Sequence, residues 1–248
     1  MRNRYYPRPG RYRRARPSIV ALAVALTASA LAGCSGSDGG SATPAGSSAL
    51  LAAARSSLDH ASTLHFTLTS ADVPPNGIRL VSGQGVVARP KSFQGQLGLL
   101  QNGTKVSVEL VSTSGKVYAK LPFSNAFQVV DPADFGLSDP ANLIDPSTGI
   151  SRMFGELTGI TSKGKQRIGS DVVTELDGSL PGSLVDDLLT SADPAKPVKA
   201  ALFVTQSTSQ LRRVVLTGPF FDKAQDSTFD LLLDKYGDPV TITAPATS

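Results

Sequence analysis

The chain has 248 residues, 40% of them hydrophobic, with one cysteine, no tryptophan and a formal net charge of +4. That length suffices for one sizeable buried core. A single cysteine excludes an internal disulfide, and the scarcity of aromatic residues, 6% of the chain, speaks against binding on stacked aromatic platforms.

Residues 1–17 hold seven arginines and no acid, and an apolar stretch from Ile19 to Ala30 follows. A basic start, a short apolar run and small residues at its end read as an export signal. The run is too short for a permanent membrane helix, which needs ~20 residues. It ends in Leu31-Ala32-Gly33-Cys34, the form of the bacterial lipoprotein box, in which a diacylglycerol is joined to the thiol and the chain is cut before it. Residues 1–33 are therefore expected to be a lipoprotein signal peptide. Cys34 is expected to be a lipid anchor on the extracytoplasmic face of the cell membrane. Loss of seven arginines and no acid changes the charge to +4 − 7 = −3. The basic balance belongs to export, and no nucleic-acid partner is implied.

Residues 34–48 are mostly Gly, Ser, Ala and Thr and are expected to form a flexible tether. The folded domain is expected over residues 49–248. Leu50, Leu51, Ala54, Leu58 and Ala61 recur at helical spacing, with Ser48 as N-cap. His65-Phe66-Thr67-Leu68 then alternates as a strand. "GQGVVA", "SFQGQLGLL", "KVSVELVS" and "KVYAKL" follow, separated by Arg89-Pro90, Asn102-Gly103 and Ser114-Gly115. Loops that short join antiparallel neighbours, so this part is a meander.

The middle carries Asp131-Pro132, Asp139-Pro140 and Asp145-Pro146. A calcium loop is the alternative, but no glycine sits where an EF-hand turn needs one, and Asp-Pro is a helix-start pair. Leu143, Ile150, Met153, Phe154 and Leu157 then form apolar helical faces. Lys163 to Arg167 reads as a solvated turn, with contact to anionic lipid head groups as the alternative, and a strand through Val172, Thr174 and Leu176 follows. "GSLVDDLLTSA" is a short amphipathic helix carrying Leu184, Val185, Leu188 and Leu189. Three strands, "VKAALFVTQ", "QLRRVVLTGPF" and "STFDLLLDKYGDPVTIT", end the chain. The fold class is α+β: a large antiparallel sheet with a few helices on one face.

Catalytic motifs are absent from the sequence. It has no Gly-x-Ser-x-Gly elbow, no His-Glu-x-x-His and no Walker loop. Its histidines, His60 and His65, come with no free thiol and no third imidazole, so no metal or other cofactor is expected. His60 and Asp59 are adjacent on a helix and point apart.

Several segments together resemble the mycobacterial LppX/LprG/LprA/LprF lipoproteins. They are the box Leu31–Cys34, the helix running into "LHFTLTS", "ARPKSFQGQLGLL", "SGKVYAKL", "DPANLIDPSTGISRMF" and the ending "LDKYGDPVTITAP". The resemblance spans essentially the whole mature chain and departs in the lack of tryptophan. It implies a strongly bent antiparallel half-barrel with helices on its concave face, enclosing an apolar cavity for acylated lipids or glycolipids. On that pattern the lining residues are Leu97, Leu99, Val106, Val108, Leu143, Ile150, Met153, Phe154, Leu157, Leu184, Leu188 and Val204. The LprG-like branch further implies a triacylated glycolipid as cargo and a major-facilitator efflux transporter as partner. A scaffolding lipoprotein with a closed core, and a hydrolase whose site lacks a known motif, are the competing readings.

Overall fold

Two meanders build the sheet. The first comprises β1 (Thr63–Ala71), β2 (Ile78–Ala88), β3 (Ser92–Gln101), β4 (Thr104–Thr113), β5 (Lys116–Lys120) and β6 (Gln128–Val130). The second comprises β7 (Thr158–Ile168), β8 (Asp171–Leu180), β9 (Val198–Thr205), β10 (Leu211–Asp222) and β11 (Gln225–Asp234). The computed structural model describes residues 44–135, 138–189 and 193–247. All of them belong to one compact unit, Gly39–Ser248. Cys34, the signal and the start of the tether lie outside the described residues.

The strands form a single sheet in the order β6-β5-β4-β3-β2-β1-β11-β10-β9-β8-β7. The first and last strands meet antiparallel at its centre, with Phe66 opposite Leu233 and Leu68 opposite Leu231. The sheet is open, with β6 and β7 as its edges. Local chemistry sets the tight turns. Asn102 and Gly103 have φ of 49° and 84°, and Ser114 and Gly115 have 55° and 73°. Positive φ at both central residues is the hairpin geometry whose twist matches the flanking strands.

Period-two alternation separates the two faces. Leu64 and Phe66 of β1, Leu80 and Val87 of β2, and Phe93, Leu97 and Leu99 of β3 are buried on one side. Gln84, Gln94 and Gln96 are exposed on the other. Gly85 lies opposite Gly95, and a Cβ on either would come within 3.0 Å of the other's Cα. The two backbones approach more closely than side chains permit, which accounts for the paired glycines.

The junction of β1 with β11 is fastened by the "KYGDP" stretch. The Tyr236 hydroxyl donates to the Leu211 carbonyl at 2.6 Å, and the Thr63 hydroxyl donates to the Asp238 carbonyl at 2.7 Å. The Gly237 N–H donates to the Thr63 carbonyl at 3.0 Å. Burial raises the pKa of the Tyr236 hydroxyl, which keeps it a donor.

The first helix, α1 (Pro44–His60), starts earlier than its sequence periodicity indicates. Ser48 is therefore inside the helix and not its cap, and residues 44–48 are helical where a tether was expected. Proline suits a first helical turn, where its missing N–H is not needed. Leu51, Ala54 and Leu58 are buried, and α1 packs against β7, β9 and β10. At its far end the Arg89 guanidinium donates to the carbonyls of Ala61 and Leu58 at 2.8 and 3.3 Å. Carbonyls at a helix C-terminus have no intrahelical partner, and Arg89 supplements the Ala61 N–H that the Leu58 carbonyl accepts at 3.2 Å.

A second correction concerns Lys163 to Arg167, which lie within β7 and not in a turn. Most side chains of β7 are exposed, so no buried face imposed a readable alternation. Lysines and an arginine along a sheet edge also oppose pairing with another chain. No helix among the described residues is long and apolar enough to cross a membrane.

Candidate functional site

Because β6 and β7 sit at opposite edges, residues 131–157 have to cross a face of the sheet. They do so as a string of single turns: 3-10 turns at Pro132–Phe135, Pro140–Asn142 and Ile150–Arg152, then α2 (Met153–Glu156). The Pro140–Asn142 turn rests on β2, β3 and β4, and the later turns rest on α1. A second arm, α3 (Gly182–Asp186) with Asp187 to Leu189, joins it from between β8 and β9.

Two of the Asp-Pro pairs, at Asp131 and Asp139, start 3-10 turns as expected, whereas Asp145-Pro146 opens a non-helical turn and the Ile150–Arg152 turn begins at Gly149 without a side-chain cap. Asp131 and Asp139 accept the N–H groups of Ala133 and Ala141, both at 2.9 Å. Asp145 accepts from the Ser147 and Thr148 N–H groups at 2.8 and 3.1 Å and from the Ser147 hydroxyl at 2.6 Å. Long helices do not form, because each following proline disfavours helical geometry in the residue before it.

Between this cover and the sheet the packing is incomplete. One void of about 140 Å³ is walled by Phe66, Leu68, Leu80, Phe93, Leu97, Leu143, Leu188 and Leu231, with Ser138, Asp139, Asn142, Thr148 and Asp187 at its polar side. A second, of about 60 Å³, is walled wholly by apolar side chains, among them Ile150, Met153, Leu189, Val214, Leu216 and Phe229. Leu68, Leu143, Leu188 and Leu231 border both voids and separate them.

The residues singled out in the sequence fall into three groups. Leu97, Leu143, Ile150, Met153 and Leu188 line these two voids. Leu99, Val106 and Val108 line a separate groove at the end of β3 and β4. Phe154, Leu157, Leu184 and Val204 are buried in packed core and border neither void. Sequence reading overlooked Phe66, Leu68, Leu80, Phe93 and Leu231. The alternation of β1 and of "TFDLLLD" carried that signal, but only the central pairing of β1 with β11 brings them to one place.

The two arms of the cover are joined by polar links. Arg152 donates to Asp187 at 2.7 Å, and the Ser138 hydroxyl donates to the Leu188 carbonyl at 2.8 Å. Lys91 of the β2–β3 turn reaches Asp145 at 3.7 Å. The Ser147 hydroxyl, followed by the N–H groups of Ser147 and Thr148, holds the Asp145 pKa near 2, below its ordinary 3.8. A depressed carboxylate contributes stability above its unfolded pKa and loses it as pH falls toward the folded one. The wild-type protein should therefore shed stability, of order 1 kcal/mol from this group, between about pH 4 and pH 2. In Asp145→Asn the amide oxygen still accepts the turn's N–H groups, so melting temperature should fall less steeply over that interval. Thermal melts from pH 2 to 7 measure this, and parallel curves for the two proteins would refute it.

Among the described residues no group of three or more His, Cys, Asp or Glu is placed to hold a metal ion. The His60 Nδ1–H donates to the Ser56 carbonyl at 2.8 Å on α1. His65 lies on the opposite face of β1 from Phe66, away from the voids.

Residues 46–242 match the family model described as LppX_LprAFG lipoprotein. The lipoarabinomannan carrier protein LprG of Mycobacterium tuberculosis is 23% identical over 239 residues, covering 95% of this chain and 98% of that protein. The crystal structure of LprF from Mycobacterium bovis superposes with a TM-score of 0.67 at 20% identity, over 84% of this chain and all of that one. LppX of Mycobacterium tuberculosis superposes with a TM-score of 0.55 at 20% identity, over 79% and 98%. The match extends from α1 past the "KYGDP" clasp and takes in both meanders and the crossover, so the chain belongs to the LppX_LprAFG lipoprotein family.

Proposed function

We propose that this protein is an envelope carrier, held to the extracytoplasmic membrane face by diacylglyceryl-Cys34, that binds acyl chains between the sheet and its crossover. The observation that carries the reading is the pair of apolar voids beneath a cover joined across its arms by polar links. Exposing a sixteen-carbon acyl chain to water costs on the order of 12 kcal/mol, from ~0.8 kcal/mol per methylene. A dry aliphatic wall offsets that without fixing one head group, which suits loading and release alike. The name of the LprG relative, a lipoarabinomannan carrier, supports an acylated glycolipid as the cargo class. The family resemblance adds a major-facilitator transporter as partner.

The larger void alone, about 140 Å³, is close in size to a cavity that holds benzene, about 150 Å³, and the two together are smaller than an acyl chain. In this reading loading therefore separates the cover from the sheet, with Leu68, Leu143, Leu188 and Leu231 moving apart to merge the two spaces. The same smallness favours the second reading, a scaffold with a closed core. Catalysis has no support at the voids' polar side. Asp139 caps a turn and Asp187 is paired with Arg152, and neither histidine is there to serve as a base.

Organic extraction of the protein purified from an actinobacterial host, followed by mass spectrometry, tests the carrier. About one acylated lipid per chain is expected, and lipid-free protein from that host would establish the scaffold. In the same host Cys34→Ala should leave the membrane fraction. Retention there after signal removal would refute the anchor.

A further inference from the structure

At the end of the sheet formed by the start of β2, the β3–β4 turn and the exit of β5 lies an apolar groove of about 340 Å³. Ile78, Leu99, Val106, Val108, Leu121 and Phe123 line it. Leu99 follows Leu97 on the same face of β3, so the groove continues the apolar surface that walls the larger void. Its outer lip is bare: Ile78 is 40% exposed and Phe123 is 106% exposed.

Phe123 is held out by a tight turn. The Ser124 N–H donates to the Leu121 carbonyl at 3.0 Å, Pro122 takes the second position, and Phe123 in the third has a φ of +68°. That position of a type II turn ordinarily takes glycine or asparagine, because a side chain there is strained. The turn thus carries a large apolar residue where local geometry disfavours any side chain and where it touches nothing. Folding stability supplies no reason for it. An exposed apolar patch of this kind marks an interaction surface.

The charge around the groove indicates what it meets. The segments that build it, residues 76–80, 99–106 and 119–125, carry Arg79, Lys105 and Lys120 and no acid. Of these cations, Lys120 is paired with Glu109 of the neighbouring strand at 3.9 Å, and the Arg79 guanidinium lies over the Phe221 ring at 5.4 Å. An apolar tip at a sheet end whose segments are net positive is complementary to a bilayer with anionic head groups. We infer that the Leu121–Ser124 turn is a membrane-docking tip: Phe123 inserts among the acyl chains of an anionic leaflet, and the groove behind it opens the inner face to lipid entering from that leaflet. The docking rests on the carrier reading for its purpose, but its test is separate.

The chain lacks tryptophan, so Phe123→Trp places a sole indole emitter at the tip. The compact unit, residues 39–248, is mixed with vesicles of phosphatidylcholine containing one quarter phosphatidylglycerol. Emission should shift to the blue and be quenched by bromine-labelled acyl chains, and 0.5 M NaCl should weaken both effects. Phe123→Gly should reduce co-sedimentation with these vesicles at least tenfold, with a melting temperature equal to or above wild type. Unshifted emission, or undiminished co-sedimentation of Phe123→Gly, would overturn the proposal. Blue emission without vesicles that disappears on dilution would assign the groove to a second copy of the chain and overturn it equally. Blue emission without vesicles in the full-length chain alone would assign it to residues 1–43, with the same consequence. Lipid extracted from Phe123→Gly should fall with vesicle binding; a wild-type lipid level with vesicle binding lost would overturn the groove's role in lipid entry. Loss of the carrier reading would appear in the extraction alone.

Discussion

Gly149→Ala is expected to destabilise the protein by about 3 kcal/mol, the upper part of the overpacking range. For a domain of this size that corresponds to a fall in melting temperature of roughly 6–12 °C. The φ of Gly149 is −88°, an ordinary value, so the requirement is not conformational freedom. It is close approach. A Cβ here would lie within 2.7 Å of the carbonyl oxygens of Asn142, Leu143 and Asp145. These oxygens cannot swing aside independently. The Asp145 carbonyl accepts the Gly149 N–H at 2.7 Å, and the Leu143 carbonyl accepts the Ile150 N–H at 3.0 Å. Relieving the clash means opening the loop that seats Leu143 and Ile150 over the sheet. Gly155, six residues on in α2, supplies the control. A Cβ there meets only the end of the Arg55 side chain at 3.6 Å, and alanine is the better helix former. Gly155→Ala should melt at or slightly above wild type. If the two variants melt alike, the three-carbonyl seat is not what holds the crossover.

What can be read from the sequence divides along sequence separation. Hairpins at Asn102-Gly103 and Ser114-Gly115 are encoded by residues that tolerate positive φ, and the turn-starting aspartates act on backbone two residues away. Both are local, and both were readable. The pairing of β1 with β11 joins Phe66 to Leu233, and nothing near either residue announces it. Since that pairing gathers Phe66, Leu68 and Leu231 at one void, the composition of the site depends on a contact that local pattern cannot encode. β7 was unreadable for a different reason. At an edge with most side chains in water, selection for an apolar face is absent, and its charged residues look like those of a turn. The same logic explains Val204 and Leu184. A buried aliphatic residue presents one pattern whether its neighbours touch it or stand away.

Leu97→Trp is the substitution that makes this last difference measurable. Leu97 is 5% exposed and lines the void of about 140 Å³. Its partner across the β2–β3 ladder is Gly83, which has no side chain, and the Leu97 Cδ2 already lies 2.9 Å from where a Cβ on Gly83 would stand. An indole adds less volume than the void contains and has bare backbone beside it to lie against. It can occupy the space a ligand would take without forcing the strands apart, so the usual 1–3 kcal/mol of overpacking strain should be largely avoided. Extracted lipid is expected to fall at least fivefold, while the melting temperature of lipid-free protein moves by no more than about 3 °C, the equivalent of about 1 kcal/mol. Val204→Trp is the converse. Val204 is fully buried and borders neither void, so the same side chain there meets filled space and should cost several times more stability. Comparable destabilisation at both positions would mean that the space beside Leu97 collapses in solution, and the closed-core scaffold would then account for the protein. A stable Leu97→Trp that still carries wild-type lipid would move the acyl chain elsewhere, and the void under the crossover would lose its claim to be the binding site.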